Sequence, residues 1–172
     1  MTQPIVAAGW AGRIDRAVDH IGRAASWLTL AIVVLMATNV LLRYAFSIGS
    51  VWSQELEWHL LAPLVLVGMT YALQQGEHVR VDIFYARYSA RAKAAIDLLA
   101  AVLALALALL VIRYSIGYVQ QSYAIGEISS DPGGLTHRWL LKALIPLGFV
   151  LFALQALAQC VSAARRLRRT AR

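Results

Sequence analysis

The sequence has few of the residues that charge a surface or cross-link a fold. It has one cysteine, Cys160, so an intrachain disulfide is excluded and no cysteine spacing suits a metal. Charged residues make up 15% of the chain and hydrophobic residues 60%, which is more apolar residue than one soluble core needs. The surplus predicts a surface that faces lipid.

The charges are almost absent from four long apolar stretches, at about residues 24–42, 56–75, 94–114 and 139–164. Each is close to the roughly 20 residues that a spanning helix needs. The stretches are continuously apolar, whereas strands of a membrane barrel alternate. The first is longer than the apolar core of a signal peptide and lacks a cleavage signal. We therefore predict an all-α integral membrane protein, with four transmembrane helices in a single membrane domain.

The basic residues predict an orientation. Three precede the first stretch, four follow the second and five follow the fourth, while the two remaining loops and their flanks hold only Arg43, Arg138 and Lys142. This bias predicts cytoplasmic N- and C-termini. The clustered residues account for the pI of about 10.1. We expect them to contact anionic lipid head groups rather than a nucleic acid. They are Arg13, Arg16, Arg23; Arg80, Arg87, Arg91, Lys93; Arg165, Arg166, Arg168, Arg169 and Arg172.

Two helix starts carry capping signals. Ser53 is the predicted cap of the second helix, with Glu55 and Glu57 in its first turn near the positive end of the helix dipole. The segment Asp131-Pro132-Gly133-Gly134 predicts a turn, and Thr136 after it is the predicted cap of the fourth helix.

Polar residues within the stretches are too sparse for a pathway. Asn39, Thr70, Gln155 and Gln159 are predicted to form hydrogen bonds between helices. Pro63 and Pro146 can kink their helices, but no matching pair of Gly/Pro-interrupted segments marks a midplane transport site. No catalytic motif stands at a useful spacing either. These observations favour neither a complete transporter nor an enzyme.

Two other functions stay open at this level. Four histidines, His20, His59, His78 and His137, fall in two depth-matched pairs that a membrane haem electron carrier could use as axial ligands. Their charged or loop surroundings weigh against haem. Alternatively, a small oligomeric exporter could form around an acidic residue such as Glu55.

Two segments carry a resemblance to a known family. The first is Trp52-Ser53-Gln54-Glu55-Leu56, followed by Gln75-Gly76-Glu77-His78-Val79-Arg80-Val81-Asp82. The second runs from Glu127 through Pro132-Gly133-Gly134 to Trp139, Lys142 and Pro146. Together with length, span count and topology, they resemble the small membrane subunit (DctQ-type) of tripartite ATP-independent periplasmic (TRAP) transporters, from about residue 24 to residue 164.

The resemblance implies a non-catalytic scaffold without cofactor or metal, in a bacterial inner membrane. Its expected partners are membrane lipid, a large multi-span permease subunit with the substrate and ion sites, and a periplasmic solute-binding protein. The expected cargo is an organic acid or similar solute, taken up by symport with an ion. Candidate interface residues are Trp52, Glu55, Glu57 and His59 on the second helix and Arg138, Trp139, Lys142 and Pro146 on the fourth. His78, Arg80 and Asp82 are expected to close the second loop by a local charge network.

Overall fold

Four long helices make up most of the part of the chain that the structure describes. The computed structural model describes residues 9–76, 85 and 88–170, and within those residues it contains no strand. Helix α1 is Trp10–Phe46, α2 is Val51–Gln75, α3 is Ala90–Ala124 and α4 is Trp139–Thr170. All four are long and apolar enough to cross a membrane. The predicted fold class, all-α with four spanning helices, is confirmed.

The helices extend beyond the apolar stretches that predicted them. Helix α1 begins at Trp10 rather than near residue 24. Helix α3 continues to Ala124, as the helix-compatible pattern of Tyr118, Gln120, Gln121 and Tyr123 beyond its apolar stretch predicts. At 1.5 Å per residue, α1 is about 55 Å long, and the hydrocarbon core of a bilayer is only about 30 Å thick. Hydropathy indicates only the part of a helix that suits lipid, so it does not detect polar helical turns at either end.

The helices pack in the order α1, α2, α4, α3. The most extensive packing is between α3 and α4, followed by α1 with α2 and α2 with α4, and α1 also touches α4. Helix α3 has no comparable packing against α1 or α2 within the described residues. The arrangement is therefore an open row, which leaves large apolar side chains exposed along α1 and α3. They include Trp27, Leu30, Val33, Leu41, Leu103, Leu107 and Leu110.

Small residues form the seam between α3 and α4. The buried residues of α3 recur every seven positions, at Ala94, Ala101, Ala108, Ser115 and Ser122. A strict seven-residue repeat is the period of coiled-coil packing, and small side chains let two backbones approach closely in a membrane. Phe152, Ala153 and Ala156 of α4 lie in the same core as Ala108.

Glycines allow two other close contacts between helices. A Cβ atom on Gly22 of α1 would lie 2.5 Å from the Tyr71 ring of α2. A Cβ atom on Gly148 of α4 would lie 2.7 Å from the Leu66 Cβ atom of α2. Both distances are shorter than van der Waals contact, so only glycine fits these crossings as they stand.

Neither predicted helix cap lies directly before its helix. Helix α2 begins at Val51 with Ser50 as its cap, and the Ser50 hydroxyl accepts a hydrogen bond from the Ser53 N–H at 3.4 Å. Ser53 is buried inside the first turn. Because the helix starts earlier than predicted, Glu55 and Glu57 leave the first turn and no longer face the free N–H groups of their own helix. Helix α4 begins at Trp139, three residues after Thr136, and the Thr136 hydroxyl contacts the Nδ1 atom of His137 at 2.9 Å.

Candidate functional site at the loop end

Glu55 connects α2 to the α3–α4 loop. This loop, residues 125–138, lies with the short α1–α2 link at one end of the row, here called the loop end. The Ser129 hydroxyl donates to Oε1 of Glu55, and the Leu135 N–H donates to Oε2 at 2.5 Å. Both oxygens of one carboxylate are thus occupied by donors about 80 residues away in sequence. Glu55 fixes the loop against the start of α2.

The loop is shaped to present those donors. The Gly134 N–H donates to the Asp131 carbonyl at 3.0 Å, and Gly133 has a φ of 79°, which confirms the predicted turn. The Ser129 N–H donates to the Leu135 carbonyl at 3.1 Å and joins the two sides of the loop. A Cβ atom on Gly134 would lie 2.7 Å from Oε2 of Glu55. The glycine therefore allows the close approach of the carboxylate.

A second pair of charges joins the loop to α4. Lys142 donates to the Glu127 carboxylate, and its ammonium lies 4.0 Å from the centre of the Tyr118 ring of α3. The hydrogen bond from Lys142 lowers the pKa of Glu127 below its ordinary value, and the Glu127 N–H donates to the Ser122 carbonyl of α3 at 3.0 Å. The Arg138 N–H donates to the Glu127 carbonyl at 3.2 Å. Glu127 thereby connects α3, the loop and the first turn of α4.

The other predicted interface residues on α2 differ in their surroundings. The Asn39 amide of α1 donates to Oε1 of Glu57 at 2.6 Å, so Asn39 forms the interhelical hydrogen bond that the sequence predicted. The Nδ1 atom of His59 lies 2.8 Å from the carbonyl of Glu55 in the same helix. Trp52 is half exposed at 50% and is available to a partner.

The start of α4 holds the remaining candidates. The Trp139 ring packs edge to face on Tyr123 of α3, with ring centres 5.3 Å apart. Pro146 lies within α4 and is partly buried. His78, Arg80 and Asp82 lie outside the described residues, so their predicted charge network stays a prediction.

A second polar cluster lies at the opposite end of the row, here called the terminus end. The Gln155 amide of α4 donates to the Asp15 carboxylate of α1 at 3.0 Å, and the Gln74 amide of α2 donates to the Asp15 carbonyl at 2.5 Å. Gln159 donates to the Leu73 carbonyl of α2. Gln155 and Gln159 therefore join helices as predicted, whereas Thr70 donates to the Leu66 carbonyl of its own helix at 3.2 Å.

Sequence reasoning missed Asp15 and the Ser129 and Leu135 donors as partners of the predicted residues. The spacing of Asp15 could have indicated that it faces the other helices, because it lies four residues after Ala11 and three before Val18, which are both buried. That spacing puts it on the packed face of α1. No local signal pointed from Glu55 to Leu135.

The polar groups of the loop end are suited to fixing geometry. The described residues contain no group of three or more His, Cys, Asp or Glu side chains that could hold a metal ion. The oxygens of Glu55 and one carboxylate oxygen each of Glu57 and Glu127 already accept hydrogen bonds within the chain. His137 is exposed in the loop. Such an arrangement orients helices and presents a fixed surface.

Comparison with known proteins gives this geometry a context. Residues 32–166 match the family described as tripartite ATP-independent periplasmic transporters, DctQ component. The chain is also 26% identical over 129 residues to a protein of Halomonas elongata named ectoine TRAP transporter small permease protein TeaB. That alignment covers 73% of this chain and 66% of the relative, which is slightly less than two thirds of its length. Because the family match spans most of the chain and includes all of α2 and α3 and most of α4, this multi-pass membrane protein belongs to the DctQ family of TRAP transporter small permease components.

Proposed function

We propose that the chain is the non-catalytic scaffold subunit of a TRAP-type secondary transporter. In this proposal it holds a large permease subunit in the membrane during ion-gradient-driven uptake of an organic acid or a similar solute. A periplasmic solute-binding protein delivers that solute. The observation that carries the proposal is the family match over residues 32–166.

The open row of helices supports a scaffold. A self-sufficient transporter needs a polar path enclosed by protein at membrane depth. Here the Glu55 and Glu127 contacts lie at the loop end, and the Asp15 cluster joins residues near the ends of α1 and α2 to Gln155, which is halfway along α4. The buried residues of α3 in the α3–α4 seam are alanines and two serines. The broad faces of the row are apolar and suit lipid or a membrane partner.

The proposed location is the bacterial inner membrane, with both termini cytoplasmic. In this orientation the loop end faces the periplasm, where a solute-binding protein would approach. The Glu55 and Glu127 contacts then have a mechanical role, since they hold α2, α3 and α4 in fixed positions beside the large subunit. Trp52, half exposed beside them, is the proposed contact with the partner.

Co-purification tests the scaffold directly. The tagged chain, extracted in a mild detergent from its native host, is expected to retain a large multi-span membrane protein identified by mass spectrometry. Proteoliposomes with both subunits and the binding protein should take up solute under an ion gradient, and liposomes with this chain alone should not. Uptake or efflux by the single chain would overturn the scaffold and favour the exporter. A Soret band in the purified chain, lost on replacement of His59 or His137, would favour the haem carrier.

A further inference from the structure

An exposed apolar stripe on α4 runs into arginines on the same face. Leu147, Val150, Leu154 and Leu157 are all exposed large hydrophobic residues. Their spacing of three and four residues returns to one face of a helix. Arg165 and Arg168 follow Leu157 by eight and eleven residues, so they continue that face at its end. The face combines an apolar length with a positive end.

The arginines at this end are poorly neutralised. Arg165, Arg166, Arg168 and Arg169 are all exposed and, at about 100° per residue, they cover an arc of about 160° around α4. Arg166 lies 3.6 Å from the Asp97 carboxylate of α3. In the described part of the chain, no carboxylate lies within 4.0 Å of the other three guanidinium groups. The sequence has no acidic residue after Asp131.

The basic residues of α1 provide a contrast within the same molecule. Arg23 pairs with Asp19 at 3.0 Å, and the Nε atom of Arg16 donates to the Gly12 carbonyl at 3.3 Å. Asp15 and Asp19 stand in the same turns as the arginines, so this segment has little net charge. Of these two helices, α4 therefore carries the larger excess of positive charge at the terminus end.

We propose that this face of α4 binds an anionic phospholipid. Arg165 and Arg168 hold its phosphate group, and an acyl chain lies along Leu157 and Leu154. The rise from Leu154 to Arg165 is about 16 Å, which is close to half of the roughly 30 Å hydrocarbon thickness. The site thus matches one leaflet of a bilayer. It depends on α4 crossing the membrane and not on the proposed role in transport.

Native mass spectrometry of the purified chain in detergent tests this site. The protein is mixed with equal amounts of phosphatidylglycerol and phosphatidylcholine that have the same acyl chains. We expect wild type to retain phosphatidylglycerol preferentially. The Arg165→Gln/Arg168→Gln variant should lose that preference by about tenfold, because each basic residue near an anionic surface contributes strongly to attraction. Salt at about 1 M should weaken the wild-type preference by screening.

Two variants make the result specific. Arg13→Gln/Arg16→Gln removes the same charge from α1 and should leave the preference intact. Arg165→Lys/Arg168→Lys keeps the charge and should also retain the preference for phosphatidylglycerol. This variant tests the role of charge even if the glutamine variant folds poorly. The proposal is overturned if wild type shows no preference, if the α1 variant loses as much as the α4 variant, or if the glutamine variant binds like wild type. An α4 end that binds an acidic protein partner would give the first of these results.

Discussion

At the scale of single residues, Glu55 is the side chain on which the loop end depends. Its position near the start of α2 predicts an interaction with the dipole of that helix. Its hydrogen-bond donors instead come from a loop far along the chain. Hydrogen bonds to a charged acceptor are stronger than those between neutral groups. Without the Glu55 carboxylate, the Leu135 N–H and the Ser129 hydroxyl lose this acceptor and must donate to water instead.

Replacement of Glu55 by alanine should free the Leu135 amide. We expect faster hydrogen exchange at Leu135 and a thermal unfolding midpoint several degrees lower in detergent, since two hydrogen bonds between α2 and the loop are lost. Hydrogen-exchange mass spectrometry of the peptide that contains Leu135 measures the effect. The matched control is Glu57→Ala, which breaks the Asn39 contact on the same helix and should leave Leu135 exchange unchanged. Equal exchange in the Glu55 variant and wild type would show that the contact does not hold the loop.

Glu127 gives the loop end a dependence on pH. The hydrogen bond from Lys142 holds its pKa below the ordinary value of 4.5. A carboxyl group whose pKa is lowered by folding stabilises the folded state at pH values above its pKa in the unfolded state. That contribution is lost as the pH falls below 4.5 and through the lowered pKa of the folded state.

Comparison of wild type with Glu127→Gln isolates this contribution. Wild type should have the higher unfolding midpoint at pH 7, and the difference should shrink as the pH falls below about 4.5. Thermal melts of both proteins at matched ionic strength, from pH 7 downward, measure it. A difference that stays constant down to pH 3 would mean that protonation of Glu127 does not control the contact.

At the scale of helices, crossings depend on the absence of side chains at a few positions. Gly148 is the clearest case because its neighbour across the α2–α4 crossing is the Cβ atom of Leu66, close to the backbone. A flexible side-chain tip could move aside, but a Cβ atom moves only with its helix. Gly117 of α3, in contrast, has open space where its Cβ atom would lie.

Gly148→Ala should therefore destabilise the protein, whereas Gly117→Ala should not. Overpacking at the crossing is expected to cost about 1–3 kcal/mol, which exceeds the gain of up to about 1 kcal/mol in helix propensity. Gly117→Ala keeps that gain without the clash and is expected to be neutral or stabilising. Unfolding in detergent titrated with sodium dodecyl sulfate measures both. If the two variants have the same stability, α2 and α4 are not in close contact at Gly148.

The sequence predicted the helices well because hydropathy is a local property of each stretch. The start of α1 was less predictable, since Trp10 to Arg23 is helical but too polar to be recognised as lipid-facing. The order of packing could not be predicted, because all four helices have similar apolar composition. Partners such as Glu55 with Leu135 and Asp15 with Gln155 depend on that order, so they appear only in the assembled row.

At the scale of the whole molecule, close packing and hydrogen bonds hold the helices together at different places along the row. Small residues on the α3 side of the α3–α4 seam let the two helices approach closely, and the hydrogen-bonded clusters of Glu55 and Asp15 fix the relative positions of the helices. Such a structure is held by hydrogen bonds between its helices and is apolar on its broad faces. Those are useful properties for a subunit that holds another protein in place.

The orientation of the row can be tested with single cysteines. An even number of spans puts both termini on one side, and the excess of basic residues at the terminus end predicts that this side is the cytoplasm. In a Cys160→Ala background, Ser130→Cys places a thiol in the exposed α3–α4 loop and Thr170→Cys places one at the exposed end of α4. A membrane-impermeant maleimide should label Ser130→Cys in intact spheroplasts and Thr170→Cys only after lysis. The Cys160→Ala protein is the unlabelled control. Labelling of Thr170→Cys in intact spheroplasts would invert the orientation, and with it the assignment of the Glu55 and Glu127 contacts to the periplasmic side.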